Sequence, residues 1–461
     1  MLIEFKVANF RSIREQQTLS LVASNADKSL NGGVIEHPLP GLAGLRFLKG
    51  AALYGANASG KSNVIQAMGF LRDCVVNSAT KLQPGNQTGA EPFKLDRESI
   101  TKPSEFEITF VADITNQAGE IQATRFVFGL AITPQRVIEE YLVAYPKGLP
   151  QKWYHRIYNE TEKAYEWAKP STGFKRNKSL EQKTRENCLY LSVGPQFNHP
   201  QLTKVFNWFN LHLRLISLNH GADISYVRTI ELLKNPAQRD RILNLLKSAD
   251  IGIGNANIDV IKSKPEILEL LQLSKQFDQA IKAFQNMSPR HRRLISAFES
   301  QSVTEEGILP EDSYSVNLMH TAEGVDPVPL DFDDEESSGT RHFFALIGFW
   351  IEILEGGFTV FIDEIETSLH PLLVKELLRL LLSETHNTKG AQIIFTTHNP
   401  VLLDTTLFRR DQIWFTEKSP NGATQLYPLT DYQPRKDEAL AKGYLAGRYG
   451  GIPFIPEGLK L

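Results

Sequence analysis

GANASGKS, residues Gly55 to Ser62, is the stretch whose reading decides the fold. It fits the pattern Gly, four residues, Gly-Lys-Ser/Thr, a loop whose backbone N–H groups cradle phosphates while its lysine reaches the β and γ oxygens. The context is the one such a loop requires. Lys49 to Tyr54 is an apolar run that reads as a strand, and the pattern from about Lys61 through Val76 reads as a helix. Gly55 and Gly60 let the backbone wrap an anion, and Asn57, Ser59 and Asn63 complete the candidate phosphate-contacting set. Lys61 supplies the neutralising charge and Ser62 a hydroxyl ligand for Mg²⁺. A helix that begins at Lys61 also points its positive end at the anion.

About 300 residues downstream stands TVFIDEIETSLHP, Thr359 to Pro371. Val360 to Ile362, with Phe358 just before the stretch, are four apolar residues that predict a buried strand delivering Asp363 and Glu364 at its C-terminal edge, where α/β sheets place ligands. Two adjacent carboxylates there have separable tasks. Asp363 holds Mg²⁺, directly or through water, and Glu364 polarises the attacking water as general base. TTHNP, Thr396 to Pro400, ends the next predicted strand, Gln392 to Thr396. A lone histidine is more often a hydrogen-bond bridge than a catalyst. Its position directly after the acidic motif makes His398 a candidate γ-phosphate sensor.

EESSGTRHF, Glu335 to Phe343, opens a further predicted helix that runs to about Leu354. Ser337 or Ser338 serves as N-cap in the plainest reading. Hydroxyls with the Gly339 N–H at a helix start also make an anion site.

Around these motifs the chain reads as follows. Leu2 to Ala8 alternates as a strand and Gln17 to Leu21 can return antiparallel to it. Four β-rich runs between Glu105 and about Tyr158 read as an antiparallel meander. The stretch from about Gln201 to Ser300 reads as helical, with Leu202, Val205, Phe206 and Phe209 at helical spacing, and no heptad persists long enough for a coiled-coil arm. After SYSVNLMH and an acidic run, Asp331 to Glu336, strands and helices alternate again in a parallel-sheet pattern. The expected division is 1–200 for the first half of the head with its β-lobe, 201–310 for a helical insertion, and 311–461 for the second half.

Composition narrows the class. The chain has 461 residues, 41% of them apolar and 22% charged, an ordinary globular balance. A net charge of -3 gives no bulk electrostatic grip on nucleic acid. Two cysteines, Cys74 and Cys188, form no CxxC pair, so a thiolate zinc site and a disulfide framework are not indicated and a cytoplasmic location is expected. MLIEFKVANF alternates and carries Glu4 and Lys6, unlike a signal peptide, and no apolar stretch approaches the roughly 20 residues of a membrane span. Basic clusters at Lys175, Arg176, Lys178, Lys183 and Arg185, and at Arg290, Arg292 and Arg293, read first as solvated surface. DNA contact stays open there, because a phosphate grip needs only a few well-placed cations.

The P-loop, the Ser-x-Gly helix start, the hydrophobic-Asp-Glu strand, a D-loop-like Glu366 to His370 and the final Thr-His together resemble the ABC-type ATPase heads of the SMC, RecF and OLD-nuclease group. More narrowly, IEFKVANFRSI, PFKLD at Pro92 to Asp96, KTRENCLYLSVGPQFN at Lys183 to Asn198, ESSGTRHF and DEIETSLHP resemble the stand-alone AAA-type ATPases of bacterial abortive-infection and anti-phage systems. The resemblance implies an α/β P-loop head of ABC type, with a β-lobe and a compact helical insertion, that hydrolyses ATP with Mg²⁺. It also implies a homo-oligomer in which ATP on Lys61 of one protomer is closed over by Ser337, Ser338 and Gly339 of another. The signature reads Glu-Ser-Ser-Gly-Thr rather than Leu-Ser-Gly-Gly-Gln, which leaves both serines as candidates for the γ-phosphate, and Gln196 is the candidate Q-loop residue.

Implied partners are a separately encoded Toprim-type nuclease and a phage-encoded trigger protein. OLD-type proteins carry a fused Toprim domain after the Thr-His element, whereas only about 60 residues follow His398 here. The alternative is a RecF- or SMC-like DNA-binding repair ATPase.

Overall fold

The run Gly50–Gly55 is buried along its whole length, as expected of a central parallel strand with both faces covered. The computed structural model describes residues 1–27, 30–37, 39–115, 121–217, 226–249, 253–262, 312–322, 325–367, 369–435 and 438–453. The chain folds into two units. The first comprises Met1–Asn219, Ile353–Thr367 and Val374–Leu461, and the second His220–Glu352 with Ser368–Leu373.

The first unit contains a six-stranded sheet in the spatial order Leu213–Ser217, Thr359–Asp363, Gln392–Thr396, Gly50–Gly55, Ile413–Lys418, Thr424–Pro428. The first five strands are parallel, and the last returns antiparallel to its neighbour. Register aligns the strand ends: Ile362 pairs with Phe395, and Thr396 with Leu53. Asp363, Thr396 and Gly55 therefore emerge together at the carboxyl edge of three adjacent strands, the usual ligand position of such sheets.

A seven-stranded antiparallel sheet makes the β-lobe, ordered Ala164–Trp167, Gln151–Asn159, Val137–Tyr145, Ile121–Ile132, Ser104–Thr115, Leu2–Ala8, Gln17–Ser20. The predicted meander is present, with one further edge strand. Helix Lys61–Asn77 buries Val64, Ile65, Ala67, Met68, Leu71, Cys74 and Val75. That apolar surface is wider than the single stripe of a surface helix, because residues of both sheets share one core with it. Phe70 on this helix meets Phe10 and Phe106 at 5.4 Å between ring centroids. Gln392, fully buried, ties the sheets together: its side chain accepts from Leu2 N and donates to Leu2 O and Leu48 O.

The middle stretch departs from the helical expectation. Helix Pro200–Asn207 passes into a π turn, Trp208–His212, and then into strand Leu213–Ser217, which pairs in parallel with Thr359–Asp363. Five residues are too few for periodicity to tell a strand from a helix, so the edge of the six-stranded sheet was hidden within a helical pattern. Residues 263–300, with Arg290, Arg292 and Arg293, lie outside the described residues.

In the second unit, helices Val227–Leu233 and Pro236–Ser248 accompany a three-stranded antiparallel sheet of Ile253–Lys262, Asp312–Ala322 and Val325–Asp331. Helix Ser338–Gly356 crosses Val227–Leu233 closely: Thr229 Oγ1 donates to Phe344 O at 2.8 Å and accepts from Gly348 N at 3.2 Å. A Cβ on Gly348 would stand 2.3 Å from that hydroxyl oxygen, so glycine permits the approach. Among the described residues no helix is long and apolar enough to cross a membrane.

Candidate nucleotide site

The loop after strand Gly50–Gly55 is shaped by what packs behind it. Ser59 is buried and its hydroxyl lies 2.6 Å from Thr416 Oγ1. Thr424 Oγ1 donates to Ser59 O at 2.9 Å and sits 2.7 Å from Ser12 Oγ. A Cβ on Gly60 would fall 2.0 Å from Thr424 Oγ1, and a Cβ on Gly55 would fall 2.4 Å from Thr416 Oγ1. Gly60 also has φ +108°, a conformation that L side chains rarely adopt. Two strands of the sheet thus fix the loop from beneath.

Gly60 is the N-cap of helix Lys61–Asn77 and supplies no side-chain cap. The first amides of that helix have no intrahelical acceptor, which leaves them for an anion. Lys61 Nζ donates to Gly55 O at 2.8 Å and to Ala56 O at 3.0 Å. Burial lowers its pKa to about 8, against the pull of Glu364, Asp363 and Glu366. A desolvated ammonium ringed by carbonyls gains strongly from an added phosphate.

The opposite wall comes from two strand ends. Ser62 Oγ donates to Asp363 Oδ1 at 3.1 Å, and Thr396 Oγ1 donates to the same oxygen at 2.6 Å. Thr396 Oγ1 also accepts from Glu364 N at 2.7 Å. Glu364 has φ +51°, a left-handed conformation that costs a non-glycine residue of order 1–2 kcal/mol and is held by its cross-strand partners. His398 stands between the walls, with Nδ1 3.4 Å from Lys61 Nζ and Nε2 4.0 Å from Glu364 Oε1. Burial, then the Lys61 charge, pushes the His398 pKa down, so the ring is neutral at pH 7. In the neutral ring Nδ1 can accept from the ammonium while Nε2–H faces the carboxylate.

The donor set fits a nucleotide with magnesium. A hydroxyl and a carboxylate oxygen in contact are hard ligands of the kind Mg²⁺ takes, with phosphate oxygens and water completing the shell. Among the described residues no group of three or more His, Cys, Asp or Glu converges as a self-sufficient metal cluster.

A family model described as "AAA domain, putative AbiEii toxin, Type IV TA system" matches residues 51–404. The chain belongs to this AAA family. The match begins at the P-loop strand and ends just past His398, so this AAA domain takes in both walls of the site. Among solved structures, the SMC head domain from Thermotoga maritima is similar at 11% identity and a TM-score of 0.33, covering 93% of this chain and 98% of that one. No curated protein matches the chain.

Of the residues singled out from the motifs, Gly55, Gly60, Lys61, Ser62, Asp363, Glu364 and His398 converge. Asn57 is exposed on the loop, while the Ser59 hydroxyl faces Thr416 and the Asn63 amide donates to Ser12 Oγ at 2.5 Å. These last two side chains hold the loop. In the second unit, Ser337 is the N-cap: its hydroxyl accepts from Thr340 N at 3.1 Å, and helix Ser338–Gly356 begins one residue later, carrying Ser338 and Gly339 in its first turn. The acidic run before it is a turn stabilised by its own carboxylates, with Asp331 Oδ1 accepting the amides of Asp333 and Asp334.

Gln196 ends helix Tyr190–Gln196 in an exposed position. In the first basic cluster, Arg176 pairs with Glu181 through two nitrogens, Arg185 donates to Ala79 O and Leu82 O, and Lys183 lies over the Phe197 ring. These three cations already serve the fold.

Sequence reasoning missed Thr396, Thr424, Thr416 and Ser12. The one signal available was the doubled threonine of TTHNP, in which only the histidine was given a task.

Proposed function

We propose that this chain is an ATP-binding and ATP-hydrolysing scaffold and sensor of an anti-phage, abortive-infection system, and that it holds and releases a separately encoded Toprim-type nuclease. The observation that carries the ATP-hydrolysing part of this reading is the placement of His398 between Lys61 and Glu364, beside the Ser62–Asp363 pair. The family's toxin–antitoxin description supports the biological setting, and within it the motifs IEFKVANFRSI, ESSGTRHF and DEIETSLHP resemble those of the ATPase subunit of the PARIS system.

ATP is the substrate. Lys61 and the first-turn amides bind the β- and γ-phosphates, and Ser62 with Asp363 would hold Mg²⁺, which neutralises developing phosphate charge. Glu364 takes a proton from the attacking water as the water oxygen bonds to the γ-phosphorus. The bond from that phosphorus to the β–γ bridging oxygen breaks, giving ADP and phosphate. His398, neutral, donates from Nε2 toward the reacting region while Lys61 fixes Nδ1. Two protomers complete the site when Ser337, Ser338 and Gly339 of one close over ATP on the other. Closure on ATP keeps the nuclease bound; the open state after hydrolysis or triggering frees it.

The test is co-expression with the adjacent reading frames, followed by purification and phage challenge. Wild type is expected to retain a nuclease and protect cells, while Lys61→Ala and Glu364→Gln lose protection. Full protection by both variants would overturn the proposal.

A further inference from the structure

Beyond the Asp363–Glu364 pair, the segment that leaves the strand carries a third carboxylate, Glu366, with no task in the scheme above. Its surroundings are specific. Residues near the end of strand Gln392–Thr396 are held by sheet-type bonds: Thr397 N donates to Leu53 O at 3.1 Å, and Ile365 N to Thr396 O at 3.2 Å. His398 is the first residue beyond that pairing. Its amide donates instead to Glu366 Oε1 at 2.6 Å. The next amide, Asn399 N, turns back to Thr397 Oγ1 at 3.0 Å, so the loop already curls away after His398. The Glu366 bond is thus the last tie that fixes the histidine backbone before the chain turns.

The second oxygen, Glu366 Oε2, is buried and makes no hydrogen bond among the described residues, although the carboxylate charge acts on Tyr54, Lys61 and His398. A carboxylate that gives up solvent at one oxygen is kept in place by the bond made at the other. The side chain thereby links the acidic strand end to the histidine loop, independently of Thr396, which links the same two segments through Asp363 and Glu364.

We propose that Glu366 is a positioning residue: its carboxylate clamps the His398 main chain, so that the imidazole stays between Lys61 and Glu364. The inference rests on the ATPase reading for its consequence, but the clamp is a property of the loop itself. Displacing a catalytic group by about 1 Å costs on the order of a hundredfold in rate.

The experiment compares the full-length wild type with Glu366→Ala, Glu366→Gln, His398→Ala and the Glu366→Ala/His398→Ala double variant. Three readouts are taken: ATP turnover, binding of a fluorescent ATP analogue, and hydrogen exchange over residues 396–400. Glu366→Ala is expected to lower kcat by about 10- to 100-fold with analogue affinity within about twofold, and to raise exchange at the loop. Glu366→Gln keeps an acceptor oxygen and should restore both. The double variant should be no slower than His398→Ala, because the two residues act as one unit.

Wild-type kcat in Glu366→Ala, equal losses in Ala and Gln variants, or losses that multiply in the double variant would overturn the clamp. A wild type that binds but never hydrolyses would overturn the ATPase reading instead. Exchange then decides alone, and unchanged protection in Glu366→Ala would refute the clamp.

Discussion

The loop Gly55–Ser62 and the edge formed by Asp363–Glu366 with Thr396–His398 face one another across the candidate site, yet they are built differently. The loop is a single contiguous segment, braced from below by Thr416 and Thr424, and its working parts are backbone amides and one lysine. The edge is assembled from two segments about 30 residues apart, joined by side-chain hydrogen bonds through Thr396 and Glu366. One wall is made by steric fit and backbone conformation; the other depends on a small polar network. Binding should therefore be robust to changes in the edge, and turnover should be sensitive to them.

On the binding side, the largest loss of affinity is expected from Lys61→Ala. It removes a partly buried ammonium whose bond to a charged phosphate is worth about 1.5–3 kcal/mol. ATP affinity by calorimetry should fall roughly 10- to 150-fold, at the tenfold per 1.4 kcal/mol conversion. A smaller loss would make the lysine incidental to the loop.

Thr396→Val comes next. It keeps the shape but strips the hydroxyl that both donates to Asp363 and accepts from Glu364 N. Turnover should fall about tenfold and the Mg²⁺ needed for half-maximal activity should rise, with Mg²⁺-free ATP binding unchanged. Weakened binding without magnesium would show that the edge also shapes the phosphate loop.

Ser59→Ala gives the smallest change. Its hydroxyl meets Thr416 inside the fold, so stability should drop by about 1 kcal/mol in denaturant titration while ATP affinity stays within about twofold. A large loss of affinity would mean that this side chain turns toward the nucleotide.

The same contrast governs how much could be read from the sequence. The loop was legible because strand, turn chemistry and helix start lie in one continuous stretch, and the glycines carry their own conformational reason. The strand that places Asp363 and Glu364 was legible because a short apolar run bounded by polar residues reads as a buried strand. The β-lobe announced itself through repeated alternation. Thr396, Thr424, Ser12 and Glu366 were not legible in their present tasks, since each acts on a residue more than 30 positions away, and a threonine or glutamate at a strand end looks the same with or without such a partner. The strand Leu213–Ser217 was missed for a different reason: the neighbouring helical spacing of Leu202 to Phe209 ran into it through a π turn. Ser337 shows an intermediate case, where the capping role was foreseen and is present, and its neighbour Ser338 opens the helix.

The central claim is that one wall binds ATP and the other turns it over. Paired measurement of nucleotide affinity and single-turnover hydrolysis in Glu364→Gln tests it most directly. The account predicts ATP affinity within about threefold of wild type and a hydrolysis rate lower by about 10²- to 10⁴-fold, the usual share of a general base. Hydrolysis at the wild-type rate in that variant, with ATP bound, would contradict it.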